Sequence, residues 1–343
     1  TLDHWHPPKS TPRGPKFSNV PRVFAVVIAL VSLAALAGQT RDEWMSGANV
    51  ADRFVMQATT IASASAYAFN LEFRRRLGLR LSITDHFVVL VAVILAIQGF
   101  RFMVVSVAIV LLISSRHRLR MRISTLVKLG VSVIVLYGIL ILGMGVRAIA
   151  GAQDISLTAA LGDLDLTSLA LFLGAPEQTV MLALKYFLEN PVPHYNGQTY
   201  LDSVLRILPN TVHTYLFDTV RPQDVILQEF AWVSGWFKAS GLNIGSHILI
   251  EGIINFGATG SIVVLSCLGA LFSGLDYMAV VKKRFVPLLY GASAFSFSAM
   301  WYGSGAFFKN VAFFVAVYVF LYVLTKVGFA VQYSAEKRSV ERS

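Results

Sequence analysis

The sequence has little charge and almost no cysteine. Only 14% of its 343 residues are Asp, Glu, Lys or Arg, compared with about 25% in soluble proteins. Its single cysteine, Cys267, lies in an apolar stretch, which excludes a disulfide framework and a cysteine-based metal site. With Gly counted and Tyr left out, apolar residues make up about 59% of the chain, against about 45–50% in soluble proteins. A soluble core cannot bury this surplus, so the sequence predicts a membrane protein.

Long apolar stretches divide much of the chain into predicted membrane-spanning helices. A helix needs about 20 apolar residues to cross a bilayer. The stretches of suitable length are 20–38, 54–72, 126–147, 249–273, 285–303 and 309–330. The stretch 83–115 would measure about 50 Å as one helix, so we expect a hairpin of two short spans turning at Gly99–Arg101. The predicted fold is an all-α polytopic membrane protein with about eight transmembrane helices.

The basic residues indicate how these spans are oriented. Lys and Arg exceed Asp and Glu by 29 to 19, which gives the chain a net charge of +10. In the eight-span arrangement, 20 of the 29 cations fall in short segments on one side, which the positive-inside rule makes cytoplasmic. Both termini of the chain are then cytoplasmic. Membrane orientation explains the excess positive charge, so no nucleic-acid partner is expected.

This topology divides the chain into tails, spans and one long loop. The parts are a cytoplasmic tail at 1–19, transmembrane helices 1–5 at 20–147, an extracytoplasmic loop at 148–248, transmembrane helices 6–8 at 249–330 and a cytoplasmic tail at 331–343.

The long loop is the part best suited to carry a site outside the bilayer. It is acidic, with nine Asp and Glu against four Lys and Arg, and loops of this length are usually functional. Helix signals predict short helices near 167–172, 179–188 and 199–208. The second of them has apolar surroundings and is expected to lie on the membrane face.

Arg101 lies at the predicted turn of the hairpin, slightly below the outer membrane surface. An arginine near membrane depth is costly and is by default a functional candidate. Its guanidinium could bind a phosphate group through two parallel hydrogen bonds. The alternative is an interfacial cation that extends its charge to water. The neighbouring Gly99 favours the functional interpretation, because it lets the turn pack closely.

A second candidate group lies where the loop enters the sixth predicted span. His247, Glu251 and Asn255 are spaced four residues apart, so a helix places them on one face. A carboxylate inside a span either has a raised pKa from desolvation or pairs with a buried cation. Both states suit acid–base chemistry, and the alternative is a purely structural ion pair with an arginine.

The predicted outer side also carries cations and aromatic rings of the kinds that bind diphosphates and sugars. Arginines bind diphosphates and aromatic rings stack on sugar faces, although the same residues populate any membrane interface. Only convergence on one cavity would separate the two interpretations. The residues concerned are Arg147, Arg206, Arg221, Lys238 and Lys309, with Tyr195, Tyr200, Tyr215, Trp232 and Trp236.

The order of these features resembles the bacterial oligosaccharide repeat-unit polymerases, which are O-antigen polymerase-like integral membrane glycosyltransferases. The similarity covers roughly residues 83–305. It begins with Gly99 and Arg101 in the hairpin and continues with Gly197-Gln-Thr-Tyr200, followed by Ile207-Leu-Pro209. It ends in a glycine-rich motif made of Ser246, Glu251, Gly257 and Gly260. This chain departs from the family by its fewer spans and by Asn210 after Pro209, where an arginine is usual.

The resemblance implies polymerisation of polyprenyl-diphosphate-linked repeat units at the outer face of the bacterial inner membrane. It implies no cofactor, no metal and no nucleotide sugar, and a flippase and a chain-length regulator as partners. Arg101, helped by Arg206 or Arg221, would hold the diphosphate, and Glu251 with His247 would supply the base. Tyr200, Asn255 and Lys309 would bind substrate.

Two other functions remain open from the sequence. An O-antigen ligase shares the span count, the outer loop and the arginines, but transfers a finished glycan to a lipid core. A flippase or transporter for the same lipid-linked saccharide is the other alternative. The glycine-rich motif with Glu251 favours the polymerase, and the lack of visible inverted repeats and of paired Gly- or Pro-broken spans speaks against a transporter.

Overall fold

A computed structural model describes residues 19–37, 50–97, 101–115, 131, 195–208, 210–217, 248–257, 259–282 and 284–341. All regular structure in these ranges is helical, which confirms the expected all-α class. The helices are α1 Val20–Ala37, α2 Val50–Arg76, α3 Phe87–Ile97, α4 Arg101–Ser115, α5 Gln198–Leu205, α6 Asn210–Phe217, α7 Ile248–Phe256, α8 Gly260–Val280, α9 Val286–Ala294 and α10 Ser296–Glu341. A 3₁₀ turn at Ile83–His86 precedes α3.

Two helices in the described ranges are long and apolar enough to cross a membrane. They are Gly260–Ala279 within α8 and Gly303–Gly328 within α10. Shorter apolar helices cover Val20–Ala34, Ile83–Ala96 and Met103–Ser114, where further spans are predicted. The predicted span 126–147 and the predicted loop helices 167–172 and 179–188 lie outside the described residues, apart from Val131. The count of eight spans therefore stays a prediction.

The chain divides into two compact units, the first made of residues 1–164 and 313–343. Helix α2 is central to it, and its residues 60–74 are all buried. The small side chains of Ala62-Ser-Ala-Ser-Ala66 let neighbouring helices approach closely. Within this unit the Ser65 hydroxyl donates to the Phe314 carbonyl at 2.7 Å, and the Phe69 ring meets the Tyr318 ring edge-on at 5.0 Å.

A buried ion-pair cluster joins α1, α2 and the 3₁₀ turn in the first unit. Asp85 is 1% exposed and accepts hydrogen bonds from Arg22 at 2.8 and 3.2 Å and from Asn70 at 3.0 Å. Arg74 lies 3.2 Å from the same carboxylate, and the Ser82 backbone N–H donates to it at 2.7 Å. We call these five residues the Asp85 cluster. Two of the cations counted as orientation signals are therefore also internal partners.

The apolar stretch 83–115 contains two helices, α3 and α4, which pack against each other. This arrangement agrees with the expected hairpin, although its turn at residues 98–100 lies outside the described residues. Arg101 is the first residue of α4.

In the second unit, residues 165–312, the structure differs from the predicted sixth span. The stretch 249–273 is not one helix, because α7 ends at Phe256 and α8 begins at Gly260. Gly257 has a φ of +74°, a left-handed conformation that favours glycine and ends α7. A Cβ on Gly252 would lie only 2.8 Å from the Gly260 carbonyl oxygen, so two glycines are needed where α7 folds against α8. Glu251 and Asn255 thus precede the candidate span instead of lying inside it.

The last two predicted spans also differ from the structure. In place of 285–303 and 309–330 with a loop between them, α9 ends at Ala294 and α10 runs from Ser296 to Glu341. The only interruption in α10 is at Gly303, whose φ of 76° and ψ of −176° are not helical. From 304 to 341 the helix measures about 57 Å, longer than the roughly 30 Å core of a bilayer. Most of the predicted tail 331–343 is therefore a continuation of this helix.

Candidate functional site

Asn255 joins α7 to the start of α5. Its side chain is fully buried, and its Oδ1 accepts the Gly197 backbone N–H at 2.8 Å. The Nδ2 group donates to the Thr199 hydroxyl and, at 2.7 Å, to the Glu251 carbonyl. The backbone N–H groups of Tyr195 and Asn196 donate to the last carbonyls of α7 at 3.2 and 3.1 Å. These bonds satisfy groups that a helix end would otherwise leave without partners.

The stretch Gly197-Gln-Thr-Tyr200 wraps around the end of α7. Gly197 has a φ of 90° and precedes α5, and a Cβ on it would contact the Phe256 ring at 3.7 Å. The Tyr200 ring stacks on the same Phe256 ring, with centroids 6.3 Å apart and planes 16° from parallel. The glycine and the tyrosine of this stretch therefore have structural roles, in a left-handed turn and in a ring stack.

Glu251 binds the start of the part of α10 that follows Gly303. It is 3% exposed, and its Oε1 accepts the Ser304 backbone N–H at 3.0 Å. The non-helical conformation of Gly303 makes Ser304 the start of a new helical segment, whose first N–H groups lack intrahelical partners. A carboxylate at such a position is stabilised by hydrogen bonding and by the helix dipole. Glu251 therefore has a capping role that its sequence position did not predict.

Arg206 reaches the same segment of α10 from α5. The Ser304 hydroxyl donates to the Ser203 hydroxyl at 2.8 Å, which fixes α5 beside the helix break. A Cβ on Gly305 would lie 3.4 Å from Nη1 of Arg206, an ordinary van der Waals distance, which places the guanidinium near Gly305. Glu251 thus binds Ser304, and Arg206 lies near Gly305, in the stretch Gly303-Ser-Gly305, which we call the helix break.

Tyr200 supplies a phenol near Glu251. Burial raises its pKa above the usual range, and the negative charge of Glu251 raises the pKa further. The hydroxyl is buried and hydrogen-bonds to no group in the described part of the chain. It therefore remains protonated at physiological pH and is suited to donate a hydrogen bond to a ligand.

Four of the sequence-predicted site residues come together in the second unit. Tyr200 and Arg206 lie on and just after α5, and Glu251 and Asn255 share one face of α7, as their spacing predicted. Lys309 follows the helix break on α10 and is exposed.

The structure does not describe the side chains of the other three predicted residues. Arg101 belongs to the first unit, and its side chain lies outside the described part of the structure. His247 and Arg221 lie outside the described residues. Their assigned roles stay predictions.

Sequence reasoning missed the polar partners of Glu251 and Asn255. These are Ser304 for Glu251 and Thr199 for Asn255, both buried, and Ser304 is in turn bonded to the buried Ser203. A signal was present for Ser304, since a Gly-Ser-Gly stretch in an apolar pattern is a common cause of a helix break. Asp85 was also missed, although it is a lone acid in a long apolar stretch.

An apolar pocket of about 330 Å³ lies between α8 and residues of α10 on both sides of the helix break. It is lined by Leu268 and Phe272 from α8 and by Phe297 and Phe307, among others, from α10. In the described ranges no three His, Cys, Asp or Glu side chains are grouped as metal ligands would be.

No protein-family model, curated protein or solved structure matches this chain.

Proposed function

We propose that this protein is a metal-independent membrane glycosyltransferase that polymerises polyprenyl-diphosphate-linked oligosaccharide repeat units. One observation carries the proposal: a buried carboxylate, Glu251, binds the first N–H after a helix break, and the guanidinium of Arg206 lies near Gly305 of the same break. Glycosyl transfer to a hydroxyl needs a base for the incoming hydroxyl and a cation for the leaving diphosphate. Glu251 and Arg206 place one group of each kind beside the helix break.

In the proposed reaction, the hydroxyl oxygen of the incoming unit bonds to the anomeric carbon of the growing glycan. The bond between that carbon and the diphosphate oxygen breaks, and the diphosphate leaves with its electron pair. Glu251 takes the hydroxyl proton, and Arg206, with Arg101 or Arg221, neutralises the leaving group. Tyr200, Asn255 and Lys309 bind the sugars, and His247 orients the base.

The apolar pocket between α8 and α10 supports a lipid-linked substrate. Its lining of Leu268, Phe272 and Phe307 suits part of a polyprenyl chain, while the polar groups of α5 and α7 suit the diphosphate and sugars. A substrate with one apolar and one polar end matches this pairing better than a soluble sugar nucleotide does.

The proposed setting is the bacterial inner membrane, with about eight spans, both termini in the cytoplasm and the site at the outer face. In that setting a flippase would deliver the lipid-linked unit and a chain-length regulator would limit its growth.

A transporter of the same lipid-linked saccharide is the second candidate, because the helix break lies at the start of a candidate span. Broken helices bind substrates in many transporters. In this chain the first N–H after the break is bound by Glu251, which leaves it less available to an anionic substrate. An O-antigen ligase would use the same groups with a different acceptor.

Substitution of Glu251 by glutamine tests the chemical role. The glutamine oxygen still accepts the Ser304 N–H, but the amide cannot take a proton, so capping is separated from base catalysis. In cells that lack the native copy, we expect Glu251→Gln and Arg101→Lys variants to insert normally and to leave single repeat units. A Glu72→Gln variant, which changes a carboxylate in the first unit, should make full-length polymer. Full-length polymer from both site variants would refute the proposal.

A further inference from the structure

Helix α5 has its polar side inside and its apolar side outside. Thr199, Asp202 and Ser203 are 5%, 8% and 3% exposed, whereas Leu201 and Val204 are 55% and 45% exposed. Positions 199, 202 and 203 share one helix face, and 201 and 204 lie on the opposite one. This is the reverse of the pattern of a helix on a water-soluble surface, where the apolar stripe faces the core.

The buried polar face of α5 has its hydrogen-bond partners inside the protein. Thr199 accepts a bond from Asn255, Ser203 accepts one from Ser304 at 2.8 Å, and Asp202 accepts one from Gln198 at 2.7 Å. A helix whose polar groups are satisfied internally needs no water on its outer side. A helix can contact lipid only when its polar groups are hydrogen-bonded within the protein in this way.

Helix α6 also exposes apolar side chains. His213 is buried, whereas Tyr215, Leu216 and Phe217 are 88%, 58% and 48% exposed. We call the exposed side chains of Leu201, Val204, Tyr215, Leu216 and Phe217 the outer apolar face. Among residues 198–217 whose side chains are described, none of the exposed ones is charged.

Contacts within the second unit fix the height of α5 relative to the candidate spans. Ser203 is bonded to Ser304, the second residue of the candidate span Gly303–Gly328. Helix α7, bonded to the start of α5, packs through Gly252 against Gly260, the first residue of the other candidate span. The outer side of that span is also apolar, with Ile262 and Leu265 at 67% and 49% exposed. Helix α5 therefore lies level with the first turns of both candidate spans.

From this placement we propose that the outer apolar face is embedded in the membrane and contacts phospholipid acyl chains at the outer interface. The segment 198–217 is then part of the membrane surface of the protein and not an aqueous loop. This assignment rests on polarity and height, and does not depend on the proposed enzymatic function. It predicts that Tyr200 and Arg206 lie at headgroup depth, where a lipid-linked diphosphate would also lie.

Spin labels at single cysteines test this placement. The native Cys267 is exposed on α8 and serves as the lipid-facing reference. In a Cys267→Ala background, cysteines at Leu201, Val204 and Leu216 are labelled, with Ser334, exposed past the end of Gly303–Gly328, as the water-facing reference. The full chain is reconstituted in phosphatidylcholine–phosphatidylglycerol vesicles, and collision rates with oxygen and with a water-soluble nickel chelate are measured.

We expect labels at the three outer positions to collide mainly with oxygen, as the Cys267 label does. Labels that collide with nickel as readily as the Ser334 label would overturn the proposal. Low collision with both reagents, reversed when the protein is diluted in lipid, would also overturn it in favour of a second copy of the chain. Photolabelling of the unmodified protein by a diazirine phospholipid is a check free of substitutions, and should mark peptides covering 201–217. Absence of label there, with α8 labelled, would contradict membrane contact.

Discussion

The least exposed carboxylate described in each compact unit is Asp85 in the first and Glu251 in the second, and the two are held differently. Asp85 and Glu251 are 1% and 3% exposed. Asp85 is bound by the guanidiniums of Arg22 and Arg74, the Asn70 amide and the backbone of Ser82. Glu251 is bound by the Ser304 backbone N–H at a broken helix, and the Tyr200 phenol lies near it.

The difference shows that burial alone does not identify a carboxylate that acts on a substrate. Two cations fix the charge of Asp85, so its cluster suits a permanent link between α1, α2 and the 3₁₀ turn. At Glu251 the helix end stabilises the negative charge, and an apolar pocket and a buried phenol lie in the same unit. Asp85 is therefore interpreted as structural, and Glu251 as the group that acts on a substrate.

Substitution of Asp85 by asparagine should give the largest loss of stability. Two cations, one of them buried, would then lack their carboxylate, and we expect the free energy of unfolding to fall by about 3–5 kcal/mol. The control is Glu72→Gln in α2, a buried carboxylate whose partners Arg75 and Arg76 are 40% and 36% exposed, so that water solvates the cations left behind. There we expect a smaller loss, of about 1–2 kcal/mol. Unfolding in mixed micelles measures both, and equal losses would remove the structural distinction of Asp85.

Glu251→Gln should lower activity and leave stability nearly unchanged. We expect glycosyl transfer to fall at least about 100-fold, since general base catalysis contributes roughly that much or more. The free energy of unfolding should change by about 1 kcal/mol or less, because the glutamine oxygen retains the bond to Ser304. Transfer rate and unfolding are measured on the same preparation. A large stability loss with normal transfer would make Glu251 the structural group.

Gly252→Ala tests the close packing of α7, which carries Glu251, against α8. The added Cβ would overlap the backbone at Gly260, so we expect a loss of about 1–3 kcal/mol in the free energy of unfolding. A Cβ on Gly269, in α8, would meet no atom of the described residues within 4 Å. Gly269→Ala should therefore be neutral or stabilising by up to about 1 kcal/mol. Similar unfolding of the two variants would show that α7 and α8 do not need this close approach.

Tyr200→Phe should have the smallest effect on stability. Because the hydroxyl is buried without a hydrogen-bond partner in the described residues, we expect unfolding to change by about 1 kcal/mol or less. If the hydroxyl donates to substrate, KM should rise several-fold with little change in kcat. Since its pKa is raised, the wild-type phenol should stay neutral, and activity should not fall through deprotonation of Tyr200 near pH 10. An unchanged KM would remove Tyr200 from the site.

Local patterns in the sequence predicted much of the helical structure. Apolar length located α1 and the two helices of the hairpin, and the spacing of four residues put Glu251 and Asn255 on one face of α7. The breaks at Gly257 and Gly303 were missed, because an apolar average over a long window hides a single left-handed glycine.

The polar partners could not be predicted, since they meet across long separations in the chain. Arg22 and Asp85 are 63 residues apart, and Ser203 and Ser304 are 101 residues apart. No local periodicity encodes such a pairing, which depends on how whole helices pack.

The most direct test of the proposed function is chain growth by the purified protein in vesicles that contain one defined polyprenyl-diphosphate-linked repeat unit. We predict a ladder of products that differ by one repeat unit from the wild type and from Glu72→Gln, and only the starting unit from Glu251→Gln. Movement of the unit across the bilayer without a new glycosidic bond, or growth that persists in Glu251→Gln, would contradict the account.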